Sequence, residues 1–238
     1  MKVICSLIFV YLSFAGFCQL LTPYEKGDGN QTATYHEGLE FWESLANQSP
    51  KLSISPYGST DSGLPLHLIE LEGSSKPEIT ILINNGIHPG EPDGTDATMM
   101  YVRDMLLNEE HKDVLKYVKL AIIPFYNVGG TLNRNSHSRA NQNGPESYGF
   151  RGNAKNLDLN RDFIKMDSKN AMSFAGIFHQ VNPDFYIETH VSNGADYQYT
   201  ITIVETQHNK LGGSLGVYFE NELMPGIHQR IQAKGELS

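Results

Sequence analysis

The stretch "EITILINNGIHPGEPDGTDATMMYVRDMLL", residues 78–107, runs from an apolar segment through a loop of glycines and prolines into a segment with helical spacing. A short apolar run closed by such punctuation predicts a buried strand, and the periodicity of 95–107 predicts a helix. A second apolar strand follows in "VKLAIIPFYN", 118–127. Strand, helix, strand is the βαβ pattern of a largely parallel sheet. The chain is therefore read as α/β, with a mixed, mainly parallel central β-sheet flanked by helices.

Working outward, "QTATYHEGLEFWESLAN" (31–47) has the spacing of a helix, and "KLSISPYG" and "LPLHLIELEG" have the character of short strands. Beyond the second βαβ strand, residues 126–156 are polar, rich in glycine and asparagine and without periodicity, as functional loops often are. Then "AMSFAGIFHQV" predicts a helix, "DFYIETHV" a buried strand and "YQYTITIVE" another. The tail from Leu211 reads as a helix interrupted near Pro225 and Gly226. Neither an internal repeat nor a low-complexity segment is present.

The first residues, "MKVICSLIFVYLSFAGFCQL", carry one lysine and a short apolar run before Gly16 and Cys18, the pattern of a secretory signal peptide cut after Cys18. The alternative is an N-terminal membrane anchor. Removal of residues 1–18 leaves no stable membrane span, places the protein outside the cytoplasm (secreted or periplasmic) and removes both cysteines, Cys5 and Cys18. A mature protein without disulfides depends on packing, helped where present by a metal. Its length suits one domain, 19–238. Lys and Arg number 18 against 27 Asp and Glu, a formal charge of -9, with no basic stripe to hold phosphates, so nucleic acid is not an expected partner.

In α/β sheets ligands gather at the carboxyl ends of strands. Three informative segments fall there: His88 and Glu91 after "EITILI", the "LDLNRDF" stretch, and His190 at the end of "DFYIETH". Two histidines and a carboxylate form a ligand set that leaves zinc an open fourth position, as in catalytic sites. Pro89, Gly90, Pro92 and Gly94 restrict the loop that carries the first two. A His-x-x-Glu pair is common by chance, and a lone strand-end histidine is more often simply hydrogen-bonded. His67, His137, His179 and His208 compete for the same role, although His179 and His67 fall within helix and strand patterns. Asn160 and Arg161 offer an amide beside a planar guanidinium, suited to gripping a carboxylate. A surface pair of Arg161 with Asp158 or Asp162 is the plainer alternative.

Taken together, "GIHPGE", "RGNAKNLDLNRDF" and "IETHVSNG" resemble, in order, the metal and substrate motifs of the zinc carboxypeptidase family, the M14 metallopeptidases. The resemblance implies one Zn2+ per chain on His88, Glu91 and His190. It implies a grip by Asn160 and Arg161 on the carboxylate of a peptide or acyl-amino-acid substrate. It also implies a catalytic role for Arg151, polarising the scissile carbonyl, with Arg134 and Arg139 as rivals. Glu188, two residues before His190, would share its strand face and is read either as a support for it or as a surface carboxylate. Gly90 stands where pancreatic members carry an arginine. Asn156 replaces a usual glycine, a change asparagine tolerates because it enters the left-handed region.

The family's general-base glutamate lies well beyond its third metal ligand, whereas this sequence continues only 48 residues past His190. The expectation is a domain lacking its C-terminal part, and with it the general base. The expected activity is that of a zinc metallocarboxypeptidase. The alternatives are a deacylase or amidase of N-acyl amino acids or cell-wall peptides, and a non-catalytic module that binds zinc and carboxylate.

Overall fold

The computed structural model describes residues 20–237, apart from 75, 109, 140, 141, 193, 195 and 196. The expected leader and its cleavage point lie outside the described residues. The chain divides into two compact units, Met1–Val191 and Ser192–Ser238, each described by itself.

The first unit opens with a short helix α1 (Pro23–Lys26) and the longer α2 (Tyr35–Gln48). Thr34 caps α2: its hydroxyl accepts from the Glu37 amide while the Glu37 carboxylate accepts from the Thr34 amide. One face of α2 buries Tyr35, Phe41, Trp42 and Leu45. Strands β1 (Leu52–Tyr57), β2 (Leu66–Leu71) and β3 (Ile79–Asn84) follow, then α3 (Asp93–Leu107) and β4 (Val118–Ile123). The polar segment after β4 holds α4 (Val128–Leu132) and a two-residue pairing of β5 (Arg134–Asn135) with β6 (Tyr148–Gly149). These elements are too short to leave a periodicity in the sequence. Helix α5 (Lys169–Val181) and strand β7 (Phe185–Glu188) complete the unit.

The sheet order is β1-β2-β4-β3-β7. β3 pairs in parallel with both β4 and β7, while β2 runs antiparallel to its two neighbours. Four of the five strands therefore point one way, as expected for a mixed, mainly parallel α/β sheet. Leu120 to Ile123 of β4 are all buried, which fits the sheet's middle strand. This topology sets the carboxyl ends of β3, β4 and β7 side by side.

In the second unit, residues 197–205 form no strand, against the expectation for "YQYTITIVE". β-propensity alone does not make a strand without a ladder to join. The backbone bonds here run from the amides of Thr200 and Ile201 to Leu237 O. The tail forms α6 (His208–Leu211), α7 (Gly213–Tyr218), a π turn over Phe219–Leu223, and α8 (Met224–Ala233). The irregularity thus precedes Pro225, whose ring and missing N–H disturb the turn before it. No helix of the described residues is long and apolar enough to cross a membrane.

Candidate metal centre

The loop that leaves β3 turns at once. Gly86, at φ +70°, takes a left-handed conformation that suits glycine best, and a tight turn closes between His88 O and the Glu91 amide at 2.9 Å. At Gly94, on the first turn of α3, an added Cβ would lie 2.2 Å from Thr189 Cβ. The absent side chain lets the helix start pack against the end of β7, next to His190.

His88 and Glu91 are each 3 % exposed, and His190 is more open. His88 Nδ1 lies 3.1 Å from Glu91 Oε1, and His190 Nδ1 lies 2.9 Å from Glu91 Oε2. One donor atom from each of the three residues falls within 4.8 Å of the others, so the group can hold a metal ion. The two imidazole rings are 5.1 Å apart. Each histidine also turns its far nitrogen to a carboxylate, His88 Nε2 to Asp158 Oδ1 at 3.3 Å and His190 Nε2 to Glu188 Oε2 at 3.6 Å. Metal-binding histidines are commonly oriented in this way. Two imidazoles and a carboxylate, with His88 and Glu91 buried and each imidazole braced from behind, fit a zinc ion.

The electrostatics are those of a shared carboxylate. Burial alone would raise the Glu91 carboxyl, but hydrogen bonds from His190, His88 and the Val191 amide outweigh it and hold the group well below the usual range. The Glu188 carboxylate, and then Glu91, push the His190 imidazole up to about 9.

Arg151 joins the same group. Its Nη1 is 3.3 Å from His88 Nδ1, and its Nε and Nη2 form a two-pronged contact with Asp158 Oδ2 at 3.1 and 2.9 Å. Arg139, a rival to it in the sequence, contacts Glu91 Oε1 at 2.8 Å. The other rival, Arg134, instead donates to the backbone carbonyls of Thr32, Ala33 and Ser147. Asn160 and Arg161 lie on the 3-10 turn Leu159–Arg161, and the Asn160 amide donates to Asp158 Oδ1 at 3.0 Å. Asp158 therefore ties His88, Arg151 and the Asn160 backbone together. Sequence reasoning considered it only as a surface partner of Arg161; its place in "LDLNR", two residues before Asn160, was the available signal. The rival acid Asp162 accepts instead from Ser168 and the Asp167 amide. Asn156 takes φ +59°, the left-handed conformation its position demanded. Neither His67, His137, His179 nor His208 belongs to the metal-competent group.

The described residues thus form a mixed α/β sheet with a His, Glu, His cluster, able to hold a metal ion, at its strand ends. The family model of zinc carboxypeptidase, peptidase M14, matches residues 38–176, more than half of the chain, and the chain belongs to that family. The matched span includes His88, Glu91, Arg151, Asn160 and Arg161 and ends before His190. A metallo-carboxypeptidase from Burkholderia cenocepacia shares the fold at TM-score 0.56 and 19% identity, over 69% of this chain and 43% of that one. A metallo-carboxypeptidase from Pseudomonas aeruginosa, in complex with (2-guanidinoethylmercapto)succinic acid, gives 0.58 and 14% over 81% and 49%. Bovine thrombin-activatable fibrinolysis inhibitor, in complex with tick carboxypeptidase inhibitor, gives 0.56 and 16% over 76% and 69%. The chain spans less than half the length of the two bacterial structures. No curated protein matches it.

Proposed function

We propose that the chain carries the metal-binding and substrate-anchoring residues of a secreted or periplasmic zinc metallocarboxypeptidase, which releases C-terminal residues from peptides. The observation that carries the reading is the convergence of His88, Glu91 and His190, from two strand ends, to donor atoms within 4.8 Å. These three residues would hold one zinc ion per chain. Bound zinc supplies Lewis-acid polarisation of a carbonyl and lowers the pKa of a water. Arg151, held by Asp158 beside His88, would direct its guanidinium at charge developing on the carbonyl oxygen. Asn160 and Arg161 would hold the free carboxylate of a peptide or acyl-amino-acid substrate, placing the scissile bond next to the metal group.

The export reading rests on the leader-like residues 1–18, which would leave 19–238 as the mature chain. Of the glutamates at the site, Glu91 is itself one of the three proposed ligands and Glu188 faces His190. A general base contributes about 10² to 10⁴ in rate. With those two occupied, this chain is expected to bind zinc and a carboxylate while hydrolysing peptides slowly. The test is elemental analysis of the purified protein: about one zinc per chain in wild type and His179→Ala, and sharply less in His88→Ala and Glu91→Gln. Equal zinc in wild type and His88→Ala would sink the assignment.

A further inference from the structure

Two loops that build the metal group consist of turns and bends only: residues 85–92, which carry His88 and Glu91, and 150–158, which carry Arg151 and Asp158. Their side chains are joined through Asp158, which reaches both His88 Nε2 and the Arg151 guanidinium. Asp158 and Arg151 are 30 % and 40 % exposed, and water competes for a contact of that kind. The backbones of the two loops are joined elsewhere, in the interior. Asn127, four residues beyond the end of β4 and 0 % exposed, lies between them. Its Nδ2 donates at 3.3 Å to the carbonyl of Ile87, the residue before His88, and at 2.9 Å to the carbonyl of Arg151 itself. Its Oδ1 accepts from the Gly130 amide at 2.8 Å.

A carboxamide offers two N–H donations and an acceptor, and here all three are used. A carboxylate of the same shape lacks the donors, and a hydroxyl has only one. The surrounding backbone gives this bridge little room. The Asn127 amide donates to Gly86 O at 3.1 Å, the Gly149 amide to Pro89 O at 3.1 Å and the Phe150 amide to Gly130 O at 2.9 Å. An added Cβ at Gly130 would lie 2.3 Å from Phe150 O, and one at Gly129 would lie 2.6 Å from Ala154 N. Helix α4 is therefore seated directly on the backbone of the arginine segment, and Asn127 caps that helix while reaching into both loops.

We propose that Asn127 is a positioning residue for the metal group: its buried carboxamide holds the Ile87 and Arg151 backbones at one spacing and thereby sets the approach of Arg151 Nη1 to His88 Nδ1, 3.3 Å in this structure. It is no ligand and meets no substrate; it acts through His88 and Arg151. The inference rests on the zinc carboxypeptidase reading above. A buried, satisfied network is stiffer and worth more than a half-exposed ion pair, so the spacing depends on Asn127 even while Asp158 is in place.

Asn127→Asp tests the assignment, because the remaining oxygen still accepts from the Gly130 amide while both donations are lost. Zinc affinity of the 238-residue chain, from competition with a chromophoric chelator, is expected to fall at least ~10-fold in Asn127→Asp. Leu45→Ala, a truncation in the buried face of α2, is the control: it lowers the urea midpoint and leaves zinc affinity in native buffer as in wild type. A second measurement uses the wild type alone. The two Nδ2 protons of Asn127, followed by NMR, are expected to shift and to exchange more slowly as zinc is titrated in. Equal zinc affinity in wild type and Asn127→Asp, or a loss matched by Leu45→Ala, overturns the positioning role and leaves the family reading standing. Nδ2 signals that ignore zinc overturn it even where the variant does not fold. Wild-type protein that takes up no zinc overturns the metal assignment and this inference together.

Discussion

His190 Nδ1 lies 2.9 Å from Glu91 Oε2, although the two residues are 99 positions apart in the chain. The contact exists because β3 and β7 are parallel neighbours whose carboxyl ends coincide, with Asn84 opposite Glu188. Each strand carries its chemistry just past its last ladder residue.

Asp158 braces His88 and Arg151 at once, so its removal acts on the metal group without removing a donor from it. Asp158→Ala is expected to weaken zinc binding by ~10- to 100-fold, the usual cost of losing a carboxylate behind a metal-binding histidine. Competition against a chromophoric chelator measures the change. An unaltered affinity would show that the His88 orientation comes from packing alone.

Two glycines give opposite expectations. A Cβ at Gly94 would sit 2.2 Å from Thr189 Cβ, and Thr189 is itself fixed by its amide to Asn84 O and its hydroxyl to Asn85 Oδ1. Gly94→Ala is expected to destabilise by about 1–3 kcal/mol. At Gly226, in α8, a Cβ would meet nothing within 4 Å, and Gly226→Ala is expected to be neutral or stabilising by up to about 1 kcal/mol. Urea denaturation separates the two; equal loss in both variants would contradict the close packing at Gly94.

Burial pushes the Asp96 carboxyl from its ordinary 3.8 up to about 6, with the Asp93 charge adding to the rise, while Thr32, the Ala33 amide and Arg134 oppose it. The folded chain thus keeps this proton in a range where the unfolded chain has lost it. Its contribution to stability is fully present below pH 3.8 and is lost as pH rises through about 6. A gap of about two units, at about 1.4 kcal/mol each, corresponds to ~3 kcal/mol. Asp96→Asn should be more stable than wild type at pH 7.5, with the difference closing toward pH 4. A constant difference across that range would show that Asp96 does not ionise as described.

Protein recovered from the medium or periplasm of an expressing cell should begin at Gln19, as mass spectrometry will show. A retained Met1 on exported protein would refute cleavage after Cys18.

Much of the first unit was legible in sequence because its elements are long enough to carry a period. Helix α2 falls within the expected 31–47 to one residue, and α3, α5, β3, β4 and β7 all lie where apolar spacing placed them. The short α4 and the two-residue β5 and β6 carry no period to read. "YQYTITIVE" misled because its alternation reports what a strand would bury, whereas pairing depends on a neighbour that local sequence does not supply. In the site, the convergence of His88, Glu91 and His190 followed from strand order. The contacts of Asp158 and Arg139 did not, since they depend on how a long polar loop folds back over the strand ends.

Only four residue pairs join β3 to β7. Any ion shared between the two strand ends therefore acts as a clasp on a short seam, and its binding energy adds to the work of opening that seam. Hydrogen exchange at the Ile187 and Val191 amides should slow as zinc is titrated in, and slow least at amides of the β1–β2 pair, which the clasp does not span. In that sense ion occupancy and the docking of β7 are one equilibrium, observed from two ends.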